Sequence, residues 1–172
     1  RFCFDNPRID KTLLISLGTV TYLALPKRGS LVTNHCLIVP MAHLPCANQA
    51  DENVTEEITV RFFSFFSHSK KLFKKSLVKM FASQKKDVIF FENATQLKRR
   101  HTFIECVPVP KDIGDQAPIY FKKAIMESES EWSQHKKIIS LSKEKGLQRS
   151  IPSGFPYFAV EFGLDMGYAH VI

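Results

Sequence analysis

The chain has 172 residues, 44% of them apolar, with 24 Lys and Arg against 17 Asp and Glu. A chain of this size and composition can bury a core, and we expect one or two small domains. It has no run of about 18 apolar residues, and an acid and a proline stand where a signal peptide needs an apolar stretch. A membrane span and secretion by this segment are therefore both disfavoured. Since the first residue is not Met, we interpret the sequence as a piece of a longer protein.

Apolar runs in the first 40 residues predict three short strands. Residues 13–17 and 20–25 flank Gly18 and end before Pro26, a pattern typical of a hairpin. Residues 35–40, HCLIVP, form the third predicted strand.

A long helix is expected next. Asp51 or Asn53 can cap its amino end, and the glutamates that follow suit the positive end of a helix dipole. An apolar stripe at spacings of three and four predicts one buried face, which we favour over a membrane-surface or calmodulin-type helix. The stripe consists of Phe62, Phe66, Ser69, Phe73, Leu77 and Met80.

The second half of the chain predicts strands on both sides of another helix. VIFFEN and TFIECVPVP are predicted strands, and Pro108 and Pro110 end the second because proline cannot donate to a ladder. Residues 117–144 predict a helix, and residues 151–163 return to a strand. Alternation places two sets of side chains on opposite faces of that strand. The sets are Tyr157, Ala159 and Glu161, and Phe158, Val160 and Phe162.

Basic residues are concentrated between residues 58 and 100. Residues 58–86 contain no acid, so this part of the surface should attract phosphate, with a strength that falls as salt is added. An ordinary solvated helix face explains the same pattern. The residues expected to contact phosphate are Lys74, Lys75, Lys79, Lys98, Arg99 and Arg100.

Three residues with metal-binding side chains lie near predicted strand ends. Cys3 lies near the first residue, His43 follows the third strand, and His101 opens a later strand. Thiolate and imidazole are ligands that zinc prefers, and a zinc site here would tie the loop ends of the sheet together. By spacing alone the three residues do not form a zinc motif, and surface histidines are the simpler explanation.

Longer segments of the chain resemble a known family. HCLIVPMAH, followed by a helix, a strand ending at Asn93 and a strand opening at His101, is similar to the histidine-triad superfamily. More closely, FCFDNP, NHCLIVPMAH, APIYFKKAIMESESEWS and GFPYFAVEFG resemble the CwfJ carboxy-terminal domains of Cwf-nineteen-like splicing factors. This resemblance covers nearly the whole chain.

The resemblance implies two α+β domains and a structural zinc ion. Residues 1–110 would form a histidine-triad-like antiparallel sheet with one long helix, and residues 111–172 a smaller, incomplete CwfJ domain. Zinc would be held by Cys3, His43, His101 and a Cys immediately before the first residue. Without that fourth ligand, the affinity for metal should be weaker and zinc could be lost.

The resemblance also implies partners and a compartment. Members of the family are associated with the spliceosome at the intron-lariat stage and with the lariat-debranching enzyme. We therefore expect a nuclear protein that binds RNA and assists lariat release or debranching.

One position decides the expectation about catalysis. Catalytic members of the superfamily run HxHxH or HxHxQ, and their middle His attacks the α-phosphate. The corresponding residues here are His101, Phe103 and Glu105. Phenylalanine has no lone pair to offer phosphorus, and a carboxylate repels phosphate, so we expect a non-catalytic factor.

Two other functions remain open. One is a divergent phosphodiesterase or nuclease that acts on nucleotides or branched RNA through His35, His101 and Glu105. The other is a protein-interaction module that docks a partner through residues 127–137.

Residues 59–71, TVRFFSFFSHSKK, interrupt the resemblance. They are either a genuine extension of the helix or translated intron sequence.

Overall fold

An eight-stranded antiparallel sheet organises the chain in the computed structural model, which describes residues 3–4, 6–7, 9–58, 73–98, 101–127, 138–142 and 145–172. The strands are β1 (Leu14–Leu17), β2 (Thr21–Ala24), β3 (Cys36–Pro40), β4 (Lys86–Ala94), β5 (Ile104–Pro110), β6 (Ile139–Ser142), β7 (Tyr157–Phe162) and β8 (Met166–Val171). The α-helices in these ranges are α1 (Glu52–Ile58), α2 (Phe73–Ser83), α3 (Lys111–Glu127) and α4 (Leu147–Ser150). The order across the sheet is β1-β2-β3-β5-β4-β7-β8-β6. The predicted α+β class and the predicted β1–β2 hairpin are confirmed.

Apolar side chains alternate along the strands, so both faces of the sheet are covered. On one face, Cys36, Ile38 and Phe90 pack with α1 and α2. On the other face, Leu37 and Val39 pack with residues near the amino end, and Ile89 packs in the cluster that includes α3. The alternation predicted in β7 is confirmed as well, because Tyr157 and Val160 lie in different clusters.

Two helix predictions hold in part. Asp51 caps α1, since its Oδ1 accepts a hydrogen bond of 2.9 Å from the backbone N–H of Val54. Phe73 and Leu77 are buried as predicted, but Met80 is 45% exposed and Phe81 takes the buried position instead. The other stripe residues, Phe62, Phe66 and Ser69, and the whole of residues 59–71 lie outside the described residues.

β5 ends at Pro110, the last residue of the predicted strand, but Pro108 lies within β5 and does not stop it, because the pairing with β3 reaches only as far as Cys106. A proline beyond that point removes no hydrogen bond to β3. The predicted helix over residues 117–144 begins earlier, at Lys111, and its last part is β6, which pairs with β8. Residues 128–137 are not among the described ones.

The sheet is continuous across the predicted domain boundary near Pro110. β4, from the first predicted domain, pairs along six residues with β7 of the second, from Ile89 opposite Phe162 to Ala94 opposite Tyr157. Strands of both predicted domains therefore share one sheet. The division into residues 1–110 and 111–172 stays a prediction.

Lys74 is buried and does not contact solvent as the predicted phosphate contact would require. Its side chain is 3% exposed, and its Nζ lies 2.6 Å from Glu161 Oε2 and 5.2 Å from the centre of the Phe90 ring. The prediction for Lys74 is therefore wrong. The helix turns this lysine toward the sheet beside Phe73 and Leu77, and its partner is 87 residues away in the chain.

None of the helices in the described ranges is long and apolar enough to span a membrane.

The two neighbouring lysines of α2 provide a test of this packing. Lys74→Met leaves the Glu161 carboxylate without its cation, and we expect it to lower the free energy of unfolding by about 2 kcal/mol. Lys75→Met, at an exposed position, should change it by less than about 0.5 kcal/mol. Urea denaturation followed by circular dichroism measures both. Equal losses in the two variants would contradict the buried ion pair.

Candidate metal centre and adjoining cleft

Cys3, His43 and His101 come together in space, although they are far apart in sequence. Their ligand atoms all lie within 4.8 Å of one another. Cys3 is half-buried, His43 is exposed and His101 is buried. A tetrahedral zinc site places ligand atoms roughly 3.5 Å apart, so small shifts would bring these three into coordination distance.

Backbone pairing explains how the two histidines meet. His43 follows β3 and His101 precedes β5, and these two antiparallel strands are neighbours. Between them, the N–H of Thr102 donates a hydrogen bond of 2.7 Å to the carbonyl of Leu44. Each of these two residues directly follows a histidine of the cluster. The sequence predicted that His101 opens the strand. It lies instead before β5, which begins at Ile104.

A backbone carbonyl holds the His101 ring in one tautomer. Its Nε2 lies 2.8 Å from the carbonyl oxygen of Pro40, and since a carbonyl can only accept, Nε2 donates. The other nitrogen, Nδ1, is buried without a hydrogen-bond partner among the described residues. Burial, with a smaller effect from His43, lowers the pKa of His101 and favours the neutral ring. A neutral imidazole with one nitrogen fixed by a carbonyl is the usual form of a zinc ligand.

The donor set fits zinc. One thiol and two imidazoles combine the soft and borderline ligands that zinc selects, and the buried lone pair of His101 has no other use in the described structure. If a metal ion is bound, these three residues would hold it and leave one further coordination position. Its chemistry would be structural, because it would join the residues around Cys3 to the ends of β3 and β5.

A cleft of about 480 Å³ lies on the face of the sheet that includes Leu37. Phe103 and Glu105 line it together with Leu14, Tyr22 and Leu37. The Phe103 ring also packs against the cluster that contains Tyr22 and Leu37. The position at which the superfamily resemblance expects a nucleophile is thus an apolar part of the cleft wall.

His35 lines the same cleft but is held in a structural position. It is 2% exposed, and its Nδ1 accepts a hydrogen bond of 3.2 Å from the N–H of Leu31. Its Nε2 lies 3.2 Å from Glu105 Oε2. Burial lowers the pKa of His35.

The catalytic alternative requires His35, His101 and Glu105 to act together. His35 and Glu105 meet at the cleft, whereas His101 lies in the cluster with Cys3 and His43 and is not part of the cleft lining. The grouping of these three residues into one site is therefore wrong.

The remaining predicted phosphate contacts are only partly placed. Lys75 and Lys79 are exposed one turn apart on α2, and Lys98 is exposed after β4. Arg99 and Arg100 lie outside the described residues.

The sequence patterns did not predict a buried polar network that lies beside the Cys–His cluster. Its centre is Glu92 on β4, which is 4% exposed and contacts Thr102 and Tyr157. Burial raises the pKa of Glu92, and its hydrogen bonds from these hydroxyls oppose that rise. The only sequence signal was a lone acid within an apolar strand, VIFFEN.

Fold and site together define an α+β protein with a Cys–His cluster beside the ends of β3 and β5 and a cleft lined by both apolar and charged side chains. The chain belongs to the CwfJ carboxy-terminal family. Residues 1–122 match the model described as "Protein similar to CwfJ C-terminal", and residues 131–172 match "Protein similar to CwfJ C-terminus 2". The resemblance to the CwfJ carboxy-terminal domains is therefore confirmed, whereas the similarity to the histidine-triad superfamily stays a prediction.

Curated relatives are similar over nearly the whole chain. CWF19-like protein 2 of Mus musculus is 48% identical over 172 residues, which cover 99% of this chain and 18% of the relative. The Caenorhabditis elegans homolog of that protein is 45% identical over 99% of this chain and 34% of its own length. The Schizosaccharomyces pombe pre-mRNA-splicing factor cwf19 is 39% identical over 92% of this chain and 24% of its length. The chain thus spans only about a fifth to a third of these relatives.

Thiol labelling tests the placement of Cys3. Cys3 is half-buried, whereas Cys36, Cys46 and Cys106 are buried, so iodoacetamide should modify Cys3 at least about tenfold faster than the others. Mass spectrometry of metal-free native protein gives the rate at each site. Comparable rates at all four thiols would contradict the described packing.

Proposed function

We propose that this chain is the zinc-stabilised RNA- and protein-binding part of a nuclear, splicing-associated protein that catalyses no reaction itself. The naming of a relative as a pre-mRNA-splicing factor supports the splicing role and, with it, a nuclear location. Action at the intron-lariat stage, with the spliceosome and the lariat-debranching enzyme as partners, rests on the family resemblance. In that role the chain assists lariat release or debranching by holding RNA and protein together.

The position of Phe103 carries the non-catalytic part of the proposal. Its ring lines the cleft where a nucleophilic imidazole would be needed, and it has no lone pair to offer phosphorus. His35 does not replace the missing group, because its two nitrogens face the Leu31 backbone and Glu105.

The zinc ion in this proposal is structural. It would fix Cys3 against His43 and His101, and so hold the amino-terminal residues beside the cleft and the ends of β3 and β5. Metal binding then contributes directly to the stability of the fold.

Phosphate binding in this proposal rests on the lysines that remain exposed. Lys75 and Lys79 lie on one side of α2, and Lys98 follows β4. Because all three side chains are exposed, they can contact RNA phosphates without leaving a buried position. Lys74 has no part in it, because it is paired with Glu161.

RNA binding is tested by its salt dependence. Single-stranded and branched RNA should bind the chain, and Lys75→Gln with Lys79→Gln should reduce the slope of log affinity against log salt by about 1.4 if both lysines contact phosphate. Lys122→Gln with Lys123→Gln removes the same charge from the exposed side of α3 and serves as the control. Fluorescence anisotropy between 50 and 300 mM salt, roughly the range in which counterion release dominates, gives the slopes. Equal slopes in both double variants would remove α2 from the proposed interface.

Zinc binding is tested by metal analysis of the purified chain. At equilibrium with buffered free Zn²⁺, we expect about one Zn²⁺ per chain, and at least tenfold weaker binding in His43→Ala and in His101→Ala. His170→Ala, on β8, serves as the histidine control and should bind like the unaltered chain. Equal zinc content in all four proteins would contradict the proposed site.

A further inference from the structure

A series of buried hydrogen bonds connects residues 131–172, the second family segment, to the Cys–His cluster in the first segment, residues 1–122. Tyr157, the first residue of β7, belongs to residues 131–172, whereas Cys3, His43 and His101 belong to residues 1–122. Tyr157 is fully buried, and its hydroxyl donates a hydrogen bond of 2.6 Å to Glu92 Oε2.

Glu92 passes this contact on to the loops that hold the ligands. Its Oε1 accepts a hydrogen bond from the hydroxyl of Thr102, the residue after His101, and one of 2.7 Å from the N–H of Ala47. Thr102 in turn donates its N–H to the carbonyl of Leu44, the residue after His43. Thr102 is thus held by Glu92 through its hydroxyl and by Leu44 through its N–H, so the residue after His101 is hydrogen-bonded directly to the residue after His43.

The second segment fixes the other end of the same network. The Tyr157 hydroxyl also accepts a hydrogen bond of 3.2 Å from the backbone N–H of Asn48. The side-chain amide of Asn48 donates a hydrogen bond of 2.8 Å to the carbonyl of Ile151. Tyr157, Glu92, Asn48 and Thr102 are all buried. Water cannot readily replace a partner lost from such a network, so removing one hydroxyl leaves buried polar groups unpaired and the loops free to shift.

We propose that Tyr157 is a positioning residue for the metal centre, acting through Glu92 and Thr102 on the loops that present His43 and His101. The inference rests on the zinc site proposed above and adds that the second CwfJ segment sets its affinity. Metal binding would then depend on both segments, because the first contains the ligands and the second, through Tyr157, keeps their loops in position.

The experiment is a Co²⁺ titration of the 172-residue chain, followed by the sulfur-to-cobalt charge-transfer and d–d absorption bands. Tyr157→Phe removes only the hydroxyl, and we expect it to raise the dissociation constant about tenfold and to change the d–d bands. Tyr120→Phe removes an exposed hydroxyl on α3 and should leave both unchanged. Titration is carried out at low temperature, where circular dichroism shows each variant fully folded.

Loss of stability alone is separated by two further comparisons. Phe81→Leu weakens the core under α2, away from the network, and should keep the affinity for Co²⁺ despite a lower unfolding midpoint. Thr102→Val should weaken binding, whereas Thr102→Ser keeps the hydroxyl and should restore it. This pair also gives the answer if Tyr157→Phe does not fold.

The outcomes distinguish this inference from the proposal beneath it. Absence of a sulfur-to-cobalt band in the unaltered chain would overturn the zinc site and the inference together. Binding of Co²⁺ with equal affinity and equal spectra by the unaltered chain and Tyr157→Phe, or equal binding by Thr102→Val and Thr102→Ser, would overturn the inference alone.

Discussion

The buried carboxylate of Glu92 is the constraint on which the rest of this structure depends. It accepts hydrogen bonds from Ala47, Thr102 and Tyr157, which belong to three separate parts of the chain. A carboxylate at 4% exposure is stable only if its donors stay in place. The same hydrogen bonds hold the two loops that carry His43 and His101. They also connect Tyr157 of β7 to Glu92 of β4.

A division of roles between neighbouring positions follows from this framework. His101 is turned to Cys3 and His43 and donates to the Pro40 carbonyl, so it serves the architecture of the strand ends. Phe103, two residues later, lines the cleft. The superfamily resemblance would place these two positions in one catalytic triplet, but their surroundings differ: His101 contacts Cys3 and His43, and Phe103 lines the cleft. This separation supports the proposed role of the chain in binding RNA and protein without catalysis.

Local sequence patterns predicted β1 to β5, β7 and the Asp51 cap, because each depends on residues close in sequence; the Cys–His cluster was expected only from the family resemblance. They failed where the partner is distant. The ion pair of Lys74 with Glu161 joins residues 87 apart, and the hydrogen bond between Glu92 and Tyr157 joins residues 65 apart. The periodicity of a single segment does not predict such contacts, because they depend on the order of the strands. In this sheet β4 lies between β5 and β7, and that order follows from the packing of the complete sheet.

The most direct test of the central claim is a turnover assay of the purified chain on a panel of nucleotides and 2′–5′ branched RNA. We expect no turnover above that of the buffer, with or without added Zn²⁺, because Phe103 lines the cleft where attack on phosphorus would need an imidazole. Turnover that survives Phe103→Ala and is abolished by His35→Ala in a folded protein would contradict it, since His35 would then be doing chemistry that its buried contacts with Leu31 and Glu105 should prevent.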